Sequence, residues 1–160
     1  MNKRDLLDLV VETLEKEEKL LITAALSAKD AATESEAKPE NQYDTRGLEQ
    51  SYLAGAQARR AAELNESIKN FKSIPLHLFE SSDPVDLTAI VDVESDEGER
   101  KIYFVLPKRG GIRVIYKESE IFTLSPDSPL GVCLLGKVSG ESFELKVKGE
   151  LRSYLIVNIR

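Results

Sequence analysis

The stretch Ser125-Pro-Asp-Ser-Pro-Leu-Gly-Val-Cys-Leu-Leu-Gly136 decides how the second half of the chain is read. Leu130 to Leu135 is a short apolar run with a helix start before it and a helix stop after it. Asp127 or Ser128 supplies an N-cap, Pro129 brings a fixed φ suited to a first turn, and Gly136 ends the run. The spacing predicts one short helix, and strand patterns surround it on both sides. Upstream, Val85, Leu87, Ala89, Val91 and Val93 alternate with polar residues, and the turn Asp96-Glu-Gly98 follows. Lys101 to Leu106 is a dense apolar run that stops at Pro107 and the turn Lys108-Arg-Gly-Gly111, before further strands at Ile112–Tyr116 and Ile121–Leu124. Downstream, Phe143/Leu145/Val147 and Leu155/Val157/Ile159 alternate as two closing strands. A compact antiparallel sheet with one small helix makes residues 74–160 an α+β module.

The pattern changes at Ile74-Pro75, and residues 1–73 read as helix. Leu7, Val10, Leu14, Leu21, Ala24, Ala28 and Ala31 fall at alternating steps of three and four, broken only by Glu17. A second helical stretch, from about Leu48 to Phe71, begins with small residues (Ala54, Gly55, Ala56, Ala58, Ala61, Ala62) and ends with Leu64, Ile68 and Phe71. Paired antiparallel, the two put Ala against Ala at the turn and Leu against Ile and Phe at the base. The expected result is a thin helical hairpin about 45 Å long, at 1.5 Å per residue. Pro39 disfavours helix at Lys38, and Asn41 is positioned to cap the second helix with Asp44 three residues on. Acids crowd the connection: Asp30, Glu34, Glu36, Glu40 and Asp44 face Lys29 and Lys38. That excess of three equals the net charge of the first 72 residues, which hold 11 basic and 14 acidic side chains. A solvated turn explains such a cluster; so does a projection that presents carboxylates inside a pore.

Composition narrows the class. The chain has 160 residues, 41% hydrophobic and 31% charged, with a net charge of −6. It is too apolar to be disordered, and its acidity gives it no global attraction for nucleic acid. One cysteine, Cys133, cannot form an internal disulfide and fits a reducing compartment. Acids stand where a signal peptide needs an apolar run, and no stretch reaches transmembrane length, so a cytoplasmic protein with no membrane partner is expected. No Ser-His-Asp set, Cys-x-x-Cys pair or phosphate loop points to an independent enzyme. His77, the only histidine, sits in Leu76-His-Leu-Phe79 and reads as a packed or surface residue, and Cys133 as a buried structural thiol. Lys108-Arg-Gly-Gly111 has the composition of an anion cradle, though a glycine-rich strand turn explains it more simply.

Ser125, Pro126, Ser128, Pro129, Leu130, Gly131, Leu134, Leu135, Gly136, Lys137, Gly140 and Glu141 match the segment Thr/Ser-Pro-x-Ser-Pro-Leu/Ile-Gly/Ala-x-x-Leu-Leu/Ile-Gly-Lys-x-x-Gly-Asp/Glu. This resembles the C-terminal domain of Gre-type transcription elongation factors, the GreA/GreB family. The order of parts is similar too: an antiparallel coiled coil (1–73, tip near 34–49), then a globular domain similar to the FK506-binding fold (74–160). Tyr52 and the small residues after it resemble the family's second coiled-coil helix. The resemblance implies binding to RNA polymerase at its secondary channel, and a tip that stimulates cleavage of backtracked RNA without being an enzyme itself. Loop residues Ser125, Pro126, Asp127, Ser128, Pro129, Leu130 and Gly131 would then bind the polymerase.

At the tip the sequence departs from the family. The Asp-Leu-Ser-Glu-Asn segment of Gre factors is missing, and Glu40-Asn-Gln-Tyr-Asp44-Thr-Arg-Gly-Leu-Glu49 stands there instead. By position, Asp44 with Glu40 takes the metal-ligand role, and Glu49 and Glu36 are in reserve. The chain binds no cofactor alone; Mg²⁺ would be shared with the polymerase active site, since hard oxygen ligands suit it and it needs only one or two protein carboxylates. Of the hairpin cations Lys29, Lys38, Arg46, Arg59 and Arg60, Arg46 is nearest the tip and is the candidate for contact with the RNA 3′ end. A monomer is expected. Two rivals remain: a secondary-channel regulator that does not stimulate cleavage, and a prolyl isomerase or chaperone, which would need an aromatic-lined pocket in a chain with no Trp.

Overall fold

The computed structural model describes residues 1–33 and 46–160. Two helices come first, α1 (Lys3–Thr33) and α2 (Arg46–Ser73). Strands β1 (Ile90–Ser95), β2 (Arg100–Val105), β3 (Arg113–Tyr116) and β4 (Ser119–Leu124) follow, then α3 (Pro129–Leu134), β5 (Ser142–Val147) and β6 (Glu150–Ile159). The α+β class read from the sequence is the class observed. The chain forms two compact units, 11–73 and 1–10 with 74–160, so the sheet takes in the first ten residues that the sequence reading kept with the helices.

In the helical unit, Glu15 receives the Lys72 ammonium at 2.6 Å and Glu18 receives the Asn65 amide at 2.7 Å. As the number on α1 rises its partner's number on α2 falls, so the helices run antiparallel. On α2, Ala61, Leu64, Ile68 and Phe71 are buried at steps of three and four. On α1 the buried stripe differs from the expected one. Leu14 and Ala28 are buried and Leu21 is half-buried, but Glu18 and Ala25 turn inward while Glu17 and Ala24 are exposed. The apparent break at Glu17 therefore vanishes: its neighbour Glu18 holds that place and accepts the bond from Asn65.

The sheet order is β3-β4-β2-β1-β6-β5. Every pair is antiparallel except β2 with β4, which is parallel because the chain crosses to the edge as β3 before β4 returns to lie against β2. The sheet is mostly antiparallel, in keeping with the antiparallel sheet expected from the sequence, and this one parallel pair is the exception. The strand expected from Val85 begins only at Ile90. Leu87 N–H bonds the Asp86 carboxylate, Ala89 N–H the Asp86 carbonyl, and Thr88 sits at φ +67°, so 86–89 is a turn. Val85, Ala89, Val91, Val93, Val105, Leu124, Leu134, Phe143, Ile156 and Ile159 form the core on one face. On the other face Ile90, Phe104, Val114 and Ile121 are buried, as are Leu6, Leu7 and Val10 of the same unit. Tyr116 ties strand to helix: its hydroxyl donates to Asp5 at 3.3 Å and accepts the Asn2 N–H at 3.4 Å.

Candidate functional site

The loop 125–131 is built around one hydroxyl. Ser128 Oγ donates to the Ser125 carbonyl at 2.7 Å and accepts the Gly131 N–H at 3.1 Å, so of the two cap candidates, Asp127 and Ser128, it is Ser128 that caps α3. The Ser128 N–H bonds the same Ser125 carbonyl at 3.1 Å, and Pro129 fills the first helical turn. The backbone of Ser125 and Pro126 passes so close to the helix that a Cβ at position 131 would meet the Ser125 carbonyl oxygen at 2.1 Å. Only glycine fits.

These constraints divide the seven predicted docking residues. Gly131 is buried and shapes the loop; Ser125, Pro126, Ser128 and Leu130 are half-buried; Asp127 and Pro129 are exposed. Val132, three residues beyond Pro129 and on the same side of α3, is 65% exposed. An aliphatic side chain displayed beside Asp127 and Pro129 completes a small mixed patch. The sequence reading placed it inside the apolar run and gave it no separate role, because its type does not distinguish a core valine from a displayed one.

The turn 108–111 closes against this loop. A Cβ at Gly110 would meet the Ser125 amide nitrogen at 3.0 Å. The N–H groups of Gly111 and Ile112 bond the Thr123 carbonyl and hydroxyl at 2.7 and 3.0 Å, and the Arg109 carbonyl accepts the Thr123 hydroxyl. Those two amides are spent on the fold, as the strand-turn reading of Lys108-Arg-Gly-Gly111 requires.

Of the tip candidates, Glu36, Glu40 and Asp44 lie outside the described residues. The helix expected from Leu48 begins at Arg46, and Glu49 is exposed in its first turn. Lys29, Arg59 and Arg60 are exposed on the helices. Among the described residues no group of three or more His, Cys, Asp or Glu side chains is placed to hold a metal. His77 is exposed, its N–H bonded to Thr88 Oγ1 at 3.0 Å, and Cys133 is half-buried. No helix among the described residues is long and apolar enough to cross a membrane.

No protein-family model matches the chain, and no curated protein sequence does. Among solved structures it is similar to Thermus aquaticus Gfh1, with 21% identity over 93% of this chain and 92% of that one and a TM-score of 0.41. It is similar to Thermus thermophilus GreA factor homolog 1, at 22% identity over 94% of each chain and a TM-score of 0.39. The elongation factor GreA/GreB of Nitrosomonas europaea shares 16% identity over 60% of this chain and 78% of its own, with a TM-score of 0.37. Such values record a likeness of layout and say nothing of what this chain binds.

Proposed function

We propose that this chain is a secondary-channel factor of RNA polymerase that docks through its globular module and places the segment near 34–49 at the catalytic centre to stimulate cleavage of backtracked RNA. The supporting observation is the fate of the motif. Ser125, Ser128, Pro129 and Gly131 each have a local job in bracing a rigid loop, and that loop leaves Asp127, Pro129 and Val132 facing outward. The bracing fixes the loop, and the patch it displays is the surface a docking partner would meet. The second support is the long antiparallel helix pair whose connection carries the acid excess.

In this reading Asp44 and Glu40 offer carboxylate oxygens to a Mg²⁺ ion shared with the polymerase, which as a Lewis acid would favour phosphodiester hydrolysis. Glu49 stands behind them and Arg46 contacts the RNA 3′ end. The factor supplies ligands in trans and has no turnover of its own. The absence of Asp-Leu-Ser-Glu-Asn at the tip favours a second reading, in which the chain occupies the channel without stimulating cleavage. One experiment separates the two: incubate a backtracked elongation complex made with the cognate polymerase, with and without the chain, and resolve the RNA. Mg²⁺-dependent short 3′ fragments that disappear with Asp44→Ala, while binding is kept, establish cleavage. Binding without fragments establishes the regulator. No binding overturns both.

A further inference from the structure

A cleft of about 390 Å³ lies within the globular unit, and Lys3, Arg4, His77, Leu78, Phe79 and Arg160 are among the residues that line it. That size lies in the range of ligand and anchor pockets. Its charge is one-sided. Among the described residues no Asp or Glu lines it, in a chain of net charge −6. The Arg160 guanidinium is taken up by Asp92 through two bonds of 2.7 and 2.8 Å, whereas neither Lys3 nor Arg4 is ion-paired among the described residues.

The cleft is also held in shape. Lys3 Nζ donates to the His77 carbonyl at 2.6 Å and stands 4.4 Å from the centre of the Phe79 ring. The His77 N–H is fixed by Thr88 Oγ1, and Thr88 is a fully buried β-branched residue at φ +67°, a conformation that survives only where its surroundings enforce it. Beside this framework Leu78 is 94% exposed, the most exposed large apolar side chain described.

We infer that this cleft is a second docking point, which takes a partner segment carrying a carboxylate next to an aliphatic or aromatic residue. The cations receive the carboxylate while Leu78 and Phe79 cover the apolar neighbour. Lys3 retains ammonium protons beyond the one given to His77, and bidentate capture by Arg4 would add direction. The identity of the partner, RNA polymerase, rests on the function proposed above; the cleft's preference for an acidic, apolar segment rests on its own lining.

The test uses the full-length chain with p-benzoylphenylalanine in place of Leu78, irradiated with the cognate polymerase. A covalent adduct is expected, mapping to a polymerase peptide with Asp or Glu within a few residues of the attachment point. Arg4→Gln, at an exposed side chain with no ion pair among the described residues, and Lys3→Gln with Arg4→Gln together should weaken association, the pair by about tenfold at low salt, with an unchanged melting temperature for Arg4→Gln. Lys3→Arg should keep most of the affinity. Polymerase binding with no adduct at position 78, or with affinity untouched by the paired Gln substitutions, overturns the cleft and leaves the loop reading standing. Loss of the adduct on adding inorganic phosphate, with shifts of the Lys3 and His77 amide resonances by phosphate alone, makes this a small-anion site and also overturns it. If the unmodified chain does not associate with polymerase, both readings fall together.

Discussion

The carbonyl oxygen of Ser125 occupies the space where a side chain at position 131 would begin, 2.1 Å from the place of a Cβ at Gly131. The same oxygen accepts from Ser128 Oγ and from Ser128 N–H. One backbone atom thus joins the loop, the helix cap and the glycine. Gly131→Ala should force the loop away from α3, costing about 1–3 kcal/mol as overpacked sites do. Denaturant unfolding reads the loss, and polymerase association should fall further than for Ser128→Ala, which removes the cap at a cost of about 1 kcal/mol.

Gly55 makes the opposite case. It lies inside α2, is exposed, and a Cβ there would meet nothing within 4 Å. Gly55→Ala should stabilise the helix pair by about 0.5–1 kcal/mol through the lower entropy of the unfolded chain. A rise in melting temperature is expected, and a fall would show that the glycine has a partner within the chain.

The two contacts between α1 and α2 should differ in weight. Asn65 to Glu18 joins a partly buried amide to a carboxylate, and Asn65→Ala should cost about 1.5–3 kcal/mol, the range for hydrogen bonds to charged groups. Lys72 to Glu15 is exposed; its hydrogen bond and charge hold the Glu15 carboxyl below its ordinary value, yet Lys72→Ala should change stability less. A double-mutant cycle on each pair gives the two couplings directly.

Burial lowers Lys3 from 10.5 to about 8. Between those values the unfolded chain keeps a proton that the folded chain has released, so stability from this group rises with pH in that window. Tyr103 is raised by burial first, with the charges of Tyr154 and Glu99 adding, so it opposes the trend above pH 10. Urea unfolding at pH 7.5, 8.5 and 9.5 should therefore show a rising contribution that Lys3→Met removes. A segment bound in the cleft should bring the Lys3 value back up.

The strand content and the short helix were legible because β-branched and aromatic runs alternate between polar turns, and because Pro129 and Gly136 bracket the helix, although its cap could be read as Asp127 or Ser128. The facing of α1 was not. Glu17 and Glu18 are the same residue type, and so are Ala24 and Ala25, so either member of each pair satisfies a three-four rhythm and only the partner helix decides. The turn at Thr88 was hidden for a related reason: burial alternates through Val85 and Ala89 whether or not the backbone is extended. Within the site, the residues of loop 125–131 were legible as a motif, but their division into braces and displayed groups needed the Ser125 carbonyl. The cleft at Lys3 left no trace in the sequence, since its two walls are over seventy residues apart and neither forms a motif alone.

The pairing of β1 with β6 joins residues 91–95 to 154–159, and beside it Ile90 and Arg160 exchange both backbone hydrogen bonds at 2.8 and 3.0 Å. A ribosome releasing this chain would let α1 and α2 coil early from neighbouring segments, but β1 would wait with one side unpaired until β6 had emerged. Contacts so far apart in sequence form slowly. The half-made sheet is then the stage most open to misassembly, and substitutions in β6 should reduce soluble yield during synthesis more than their effect on the finished fold would suggest.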